Sequence, residues 1–187
     1  MAELLLTRTK AAQVEPVFRE VRERYATARD LAEAGPEAAN AVISGLGLHW
    51  RGPLLYRAAA AIAERGGVPP EGPEELRELP GIGPYASAAW LSLHRGRRAV
   101  LIDNNVARWL ARMTGCPYDG ETRRKRWLQE LAEALTPRRN FRAYNYAVLD
   151  FTMTVCTPRA PKCGECPLRE DCVYGSTTAL GVPSPRQ

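Results

Sequence analysis

Four of the five cysteines in this 187-residue chain fall within seventeen residues, as Cys156-x6-Cys163-x2-Cys166-x5-Cys172 in the run VCTPRAPKCGECPLREDC. Sulfur gathered so closely must fold around something. The N-terminus, MAELLLTRTK, holds only three leucines before it turns polar and lacks the basic-then-apolar order of a secretory signal. A cytoplasmic home is therefore expected, where thiols stay reduced and clustered cysteines mean metal rather than disulfides. Thiolate is the soft ligand that iron and zinc take. Zinc ribbons usually pair two Cys-x2-Cys knuckles, whereas here one such pair is flanked by single cysteines. The bacterial ferredoxin run is more tightly spaced than this one. Cys116, between Gly115 and Pro117, stands apart and reads as an inert small apolar residue.

The rest of the chain reads as helix. Apolar residues recur at helical spacing at Val14, Val17, Phe18 and Val21, at Ala86, Ala89, Trp90 and Leu93, and at Val106, Trp109, Leu110 and Met113. Further helices are predicted over 28–34, 36–45, 52–65, 121–135 and 140–156, the last with Tyr144, Val148, Phe151 and Val155 on one stripe. Turn chemistry separates them, at Gly45-Leu46-Gly47, Gly66-Gly67, Pro69-Pro70, Pro80-Gly81, Gly115-Cys116-Pro117 and Thr136-Pro137. No hairpin of strands is evident, so the fold class is all-α. No apolar run approaches the roughly 18 residues of a membrane span. A soft boundary falls near Gly115, before the polar stretch CPYDGETRRKR, and the residues from Ser176 onward, STTALGVPSPRQ, read as a flexible tail. With 26 Lys and Arg against 21 Asp and Glu, the chain carries +5 and tolerates a polyanionic partner without requiring one. Its two histidines, His49 and His94, exclude chemistry built on a cluster of imidazoles.

Two further stretches carry chemistry. Leu79-Pro80-Gly81-Ile82-Gly83 sets a proline and two glycines between a helix ending near Glu78 and another starting at Pro84. Such a turn exposes backbone amides at a helix start, an arrangement suited to a phosphodiester, although a Gly-x-Gly corner is often only structural. Twenty residues on comes LIDNNVARWLARM, where Asp103 opens an amphipathic helix. Aspartate favours that position as an N-cap for local reasons alone.

Taken together, the segments LPGIGPYASAAWLSL, LIDNNVARWLARM and the cysteine run resemble the helix-hairpin-helix DNA glycosylases, the family of endonuclease III and the MutY-type adenine glycosylases. The resemblance spans about residues 2–174. It implies a two-lobed fold: a six-helix lobe over 9–115 with the hairpin at 79–87, an iron–sulfur lobe over 116–175 near which residues 1–8 pack, and a tail over 176–187. It implies a [4Fe-4S] cluster on Cys156, Cys163, Cys166 and Cys172, with Arg159 and Lys162 between the first two ligands directed at DNA phosphates. Gly81, Ile82 and Gly83 match the turn that binds duplex DNA. Asp103 matches the catalytic aspartate, which stabilises oxocarbenium-like charge on the sugar and orients or deprotonates water. Asn105 matches an asparagine that MutY-like members carry two residues later.

The same resemblance narrows the reaction. Members that also nick the backbone carry lysine two places after the second hairpin glycine and form a Schiff base. Here that residue is Tyr85, so a monofunctional enzyme without lyase activity is implied. Glu3-Leu4-Leu5-Leu6-Thr7-Arg8-Thr9 resembles the segment in which MutY-like enzymes carry a glutamate and then Gln-Gln-Thr. Glu3 matches their proton donor or water-positioning glutamate, while Thr7 and Arg8 replace the glutamines. Arg8 followed by Thr9, with tyrosine at the lysine position, resembles the archaeal mismatch-specific thymine glycosylases. Gly45-Leu46-Gly47-Leu48-His49-Trp50-Arg51 resembles the loop that wedges into the duplex, with Leu48 or His49 as the wedge and Arg51 beside DNA. A plain turn with a buried Trp50 is the alternative. The family also leads one to expect a helix ahead of Glu3 that these residues do not contain, and the stretch after Cys172 leaves no room for a domain reading oxidised guanine. The expected function is excision of thymine or uracil opposite guanine from double-stranded DNA, by one copy of the chain working alone in the cytoplasm at the nucleoid. The alternatives are adenine excision opposite guanine or 8-oxoguanine, and an iron–sulfur protein that binds mispairs without catalysis.

Overall fold

The computed structural model describes residues 1–6, 9, 11–47 and 49–179. Every regular element among the described residues is helical, as the periodicity predicts. None of their helices is long and apolar enough to cross a membrane. The chain packs as two compact units, Met1–Trp90 and Leu91–Gln187. The division comes earlier than the composition change near Gly115, because the helix that ends there packs with helices that follow it in sequence.

In the first unit, helices α1 (Ala2–Leu6), α2 (Ala11–Arg24), α3 (Ala28–Ser44), α4 (Gly52–Glu64), α5 (Pro73–Glu78) and α6 (Pro84–Ala89) follow in order. Thr27 starts α3 with a capping box: its hydroxyl accepts from the Asp30 amide at 3.2 Å, and the Asp30 carboxylate accepts from the Thr27 amide at 2.8 Å. The α3 backbone leaves helical dihedrals at Gly35 (φ 87°, ψ 176°), ahead of Pro36. This is the break that the sequence places between 34 and 36, since proline lacks the amide and disfavours helix at the residue before it. The α3–α4 pair forms the broadest helix packing of the unit. Leu5, Val14, Leu31, Ala39, Ile43, Leu55 and Ala59 close its core, so α1 is pinned by Leu5 despite its five residues. Val14 and Val21 of the predicted stripe are buried, while Val17 and Phe18 are half-buried.

Beyond α6 the chain continues as one π-helical turn, Trp90–His94, where the sequence predicts plain helix. Ser92 of this turn is fully buried and its hydroxyl accepts from the Asn145 amide at 2.7 Å, a partner far along the chain that no local pattern announces. The second unit is built on helix α7 (Asn104–Thr114), buried without interruption from Val106 to Arg112. Around it lie α8 (Arg126–Leu135), α9 (Phe141–Thr154) and α10 (Val173–Ala179). The predicted helix over 121–135 is a 3-10 turn at Thr122–Arg124 followed by α8, because Lys125 adopts extended dihedrals between them. Arg98 fastens the C-terminus of α8, donating to the carbonyl oxygens of Glu133 at 2.9 Å and Thr136 at 2.7 Å. The helix α10 runs past Ser176, where a flexible tail is predicted, because Ser176 donates its amide to the Cys172 carbonyl and α10 packs on α7. Residues 180–187 lie outside the described residues.

Gly115 ends α7 with φ 72°, ψ 8°, and a β-carbon there would lie 2.9 Å from Val173 Cγ1. An L-residue at that position meets both the left-handed backbone penalty, about 1–2 kcal/mol, and a contact that the Val173 side chain of α10 must shift to relieve. Gly115→Ala is expected to lower the stability of the second unit by about 1–3 kcal/mol in denaturant titrations. A midpoint equal to wild type would show that α10 does not bear on this corner.

Candidate functional site

The second unit carries a thiol-lined pocket. Cys156, Cys163, Cys166 and Cys172 all reach it, together with an apolar wall of Trp109, Met113, Phe151 and Val155. The Trp109 and Phe151 rings meet edge to face, 5.8 Å apart at 71°. No cysteine among the described residues is in a disulfide. Burial pushes the Cys172 thiol up, and the neighbouring sulfurs of Cys156 and Cys163 push it further, against backbone amides that lower it. Four thiolates facing one cavity therefore need a cation to offset their charge. Cys156, Cys163, Cys166 and Cys172 line one space, and four sulfurs are a donor set that an iron–sulfur core takes.

Two buried arginines tie this cavity to the start of α7. Arg112, 4% exposed, donates to the Thr157 carbonyl at 2.7 Å, the Pro158 carbonyl at 2.9 Å and Cys156 Sγ at 3.5 Å, with its guanidinium over the Tyr174 ring. These bonds fix the loop after Cys156, and Arg159 and Lys162 are exposed on it. Arg108, 5% exposed, donates to the carbonyls of Thr152 at 2.9 Å and Cys156 at 2.8 Å and to Asn105 Oδ1 at 2.9 Å. Burial, with the Arg112 charge close by, draws the Arg108 guanidinium below the usual arginine range. Asn105 in turn donates its amide to Asp103 Oδ2 at 2.8 Å, and Asp103 Oδ1 caps α7 by accepting from the Val106 amide at 2.7 Å. Asp103 is both the N-cap that local rules favour and a carboxylate held at both oxygens. Arg108 and Arg112 were not among the residues expected at the site. Their signal was present in the spacing Asp103-x-Asn105-x-x-Arg108-x-x-x-Arg112, which sets charge among the apolar positions of a buried helix.

The first unit holds the remaining residues. Glu3 sits half-buried in the first turn of α1, and burial pushes its carboxyl above the usual carboxylate range, against the nearby N-terminal charge. In the hairpin, α5 ends at Glu78, the Ile82 amide donates to the Leu79 carbonyl at 3.0 Å, and Pro84 opens α6. Gly81 has φ 79°, and a β-carbon there would stand 3.2 Å from Leu4 Cδ2 and 3.4 Å from Leu54 Cβ, so the turn needs glycine on both counts. Gly81 and Gly83 are exposed, Ile82 and Tyr85 half-buried. The Ser87 hydroxyl donates to the Pro73 carbonyl at 3.2 Å and joins the two hairpin helices.

In the loop before α4, His49 is exposed and Trp50 is 57% exposed, so Trp50 is not the buried plug of a plain turn. Arg51, expected beside DNA, is instead 5% exposed. Its Nη1 donates to the Leu4 carbonyl at 2.8 Å and its guanidinium lies 4.8 Å from the Trp50 ring centroid. Arginine lies inward here because a carbonyl and an aromatic face are available to it. Arg8 and Leu48 lie outside the described residues.

The model of the iron–sulfur binding domain of endonuclease III matches residues 156–172. The chain is 36% identical to the thymine/uracil-DNA glycosylase of Pyrobaculum aerophilum, over 93% of this chain and 78% of that protein. It is 33% identical to the adenine DNA glycosylase of Homo sapiens, over 92% of this chain and 32% of that one. Its fold superimposes on that of a thermostable thymine-DNA glycosylase with a TM-score of 0.87 at 30% identity, covering 94% and 82% of the two chains. A [4Fe-4S] cluster accordingly belongs in the thiol-lined cavity.

Changing one thiol tests the ligand set. Wild-type protein is expected to hold about four irons per chain with visible thiolate-to-iron absorption, and Cys166→Ser to lose a large part of both. Full iron content in that variant, by metal analysis, would remove Cys166 from the set.

Proposed function

The chain belongs to the helix-hairpin-helix DNA glycosylases that carry an endonuclease III type iron–sulfur domain, and from that premise we propose that it excises thymine or uracil mispaired with guanine. It is an enzyme acting on DNA, a hydrolase of the N-glycosidic bond. The observation that carries the substrate is its likeness, across nearly the whole chain, to proteins named thymine and thymine/uracil glycosylases. The target is double-stranded DNA in the nucleoid, and one copy of the chain serves each lesion.

The chemistry follows from the residues. The bond from C1′ to the base nitrogen breaks with positive charge growing on the sugar, water supplies the oxygen that C1′ gains, and a proton goes to the departing base. Asp103 takes the charge-stabilising role, supported by its two held oxygens: a carboxylate fixed by Val106 and Asn105 need not reorganise as charge develops. Glu3 takes the proton-donor role, supported by the burial that keeps its carboxyl protonated to higher pH than usual. Tyr85 has no amine and forms no imine with the sugar, so the reaction stops at an abasic site. Gly81, Ile82 and Gly83 offer backbone to a phosphodiester, and Arg159 and Lys162 offer exposed charge to others. Cys156, Cys163, Cys166 and Cys172 would hold the cluster, which would supply a crosslink to the loop that carries Arg159 and Lys162.

Adenine excision is the second reading, and the identity with the human adenine glycosylase favours it. Single-turnover assays on G·T, G·U, A·G and A opposite 8-oxoguanine, read with and without alkali, separate the two. Alkali-dependent cleavage of G·T and G·U alone is expected; cleavage of the adenine duplexes alone would reverse the assignment, and binding without cleavage of any would make the chain a non-catalytic mismatch binder. Asp103→Asn is expected to slow excision by roughly 10²-fold or more while leaving DNA affinity in place. Unchanged turnover would remove Asp103 from the mechanism. Because the protonated carboxyl of Glu3 is the working form, the wild-type rate is expected to fall as pH rises through its raised pKa. Glu3→Gln should flatten that limb, and a limb that persists in the variant would belong to another group.

A further inference from the structure

We propose that Arg51 is a positioning residue that joins the exposed Trp50 ring to the helix carrying Glu3, so that stacking of Trp50 on a base of the duplex and placement of the Glu3 carboxyl are one event. The inference rests on the excision reading above and adds to it the side chain that contacts the DNA stack and the route by which that contact reaches the acid.

Four observations converge on it. Trp50 presents more than half of its surface to solvent at the end of a glycine-bearing loop, yet one face of the indole is already occupied by the Arg51 guanidinium. An indole held against a cation has lost much of its rotational freedom before it meets a base, and every base offers it a π-face. Arg51 is itself buried, so the platform beneath Trp50 is rigid rather than a surface side chain swinging in water. Its donation to the Leu4 carbonyl ends within α1, one residue from Glu3. Leu4 is also wedged against Gly81, where no β-carbon would fit without displacing its side chain. Leu4 of α1 is thus held at its carbonyl by Arg51 and at its side chain by the hairpin at Gly81. A displacement of Trp50 pulls on the same helix turn that holds the glutamate.

Lysine at position 51 keeps the charge but has no planar fork to lie under the indole while donating to a carbonyl. The test uses the cluster-loaded protein and a duplex carrying 2-aminopurine beside a G·T mispair. Wild type is expected to change the 2-aminopurine fluorescence on binding. Trp50→Ala should abolish that change and slow single-turnover excision roughly tenfold, with Trp50→Phe restoring most of both. Both Trp50→Ala and Arg51→Lys should move the alkaline limb of the pH–rate profile to lower pH, because a loosened α1 lets water reach the Glu3 carboxylate. Thermal melting and cluster absorption check that each variant is folded, and the exposed Trp50 pair carries the test if Arg51→Lys is not. A Trp50→Ala protein with wild-type fluorescence and rate overturns the stacking contact. A variant that is slow but keeps its pH profile overturns the coupling to Glu3. If wild type releases no base from any mispair, the excision reading falls, while fluorescence lost only in Trp50→Ala still upholds the contact and fluorescence unchanged in wild type removes it.

Discussion

A guanidinium taken out of water is tolerated only where its donors find acceptors, since an unmatched buried charge costs several kcal/mol. Arg108 and Arg112 meet most of that demand through their Nη groups, one turn apart on the buried helix α7, by donating to the carbonyls of Thr152, Cys156, Thr157 and Pro158. Those four carbonyls belong to the end of α9 and the beginning of the cysteine loop. The second unit thus depends on charged side chains in its core to place the first thiolate of the metal site. Replacing them with apolar residues of equal volume would fill the space and leave the loop unanchored.

The same bonds give Asp103 its setting. A carboxylate at a helix N-terminus gains from the helix dipole and from the amides it caps, and would adopt this position in a protein with no catalytic function. What distinguishes Asp103 is that its second oxygen is held by Asn105, which is held by Arg108, which is held by the cluster segment. Local capping orients the group, and the network behind it prevents reorientation. Electrostatic stabilisation of a developing cation gains most from a charge that is already in place.

In the first unit the organising contact is apolar and steric. Leu5 anchors α1 in the core, Leu4 fills the hollow left by the missing side chain of Gly81, and Arg51 satisfies the Leu4 carbonyl. The hairpin turn, the loop before α4 and the glutamate helix therefore share one residue. That explains why so short a helix holds Glu3 half-buried and shifts its carboxyl upward.

Much of this was legible from the residues. Helical spacing, the break between 34 and 36 and the four-cysteine run act over a few positions, so they can be read in order along the chain. The hairpin turn and the aspartate that opens α7 belong to the same class. Their chemistry is complete within one segment. The inward Arg51, the buried pair on α7, the outward Trp50 and the π turn that receives Asn145 were decided elsewhere. Arg51 meets its acceptor 47 residues away and Arg108 meets Thr152 44 residues away. An arginine reads the same in sequence whether it faces water or a distant carbonyl, and only the packing of the helices determines which of the two is within reach.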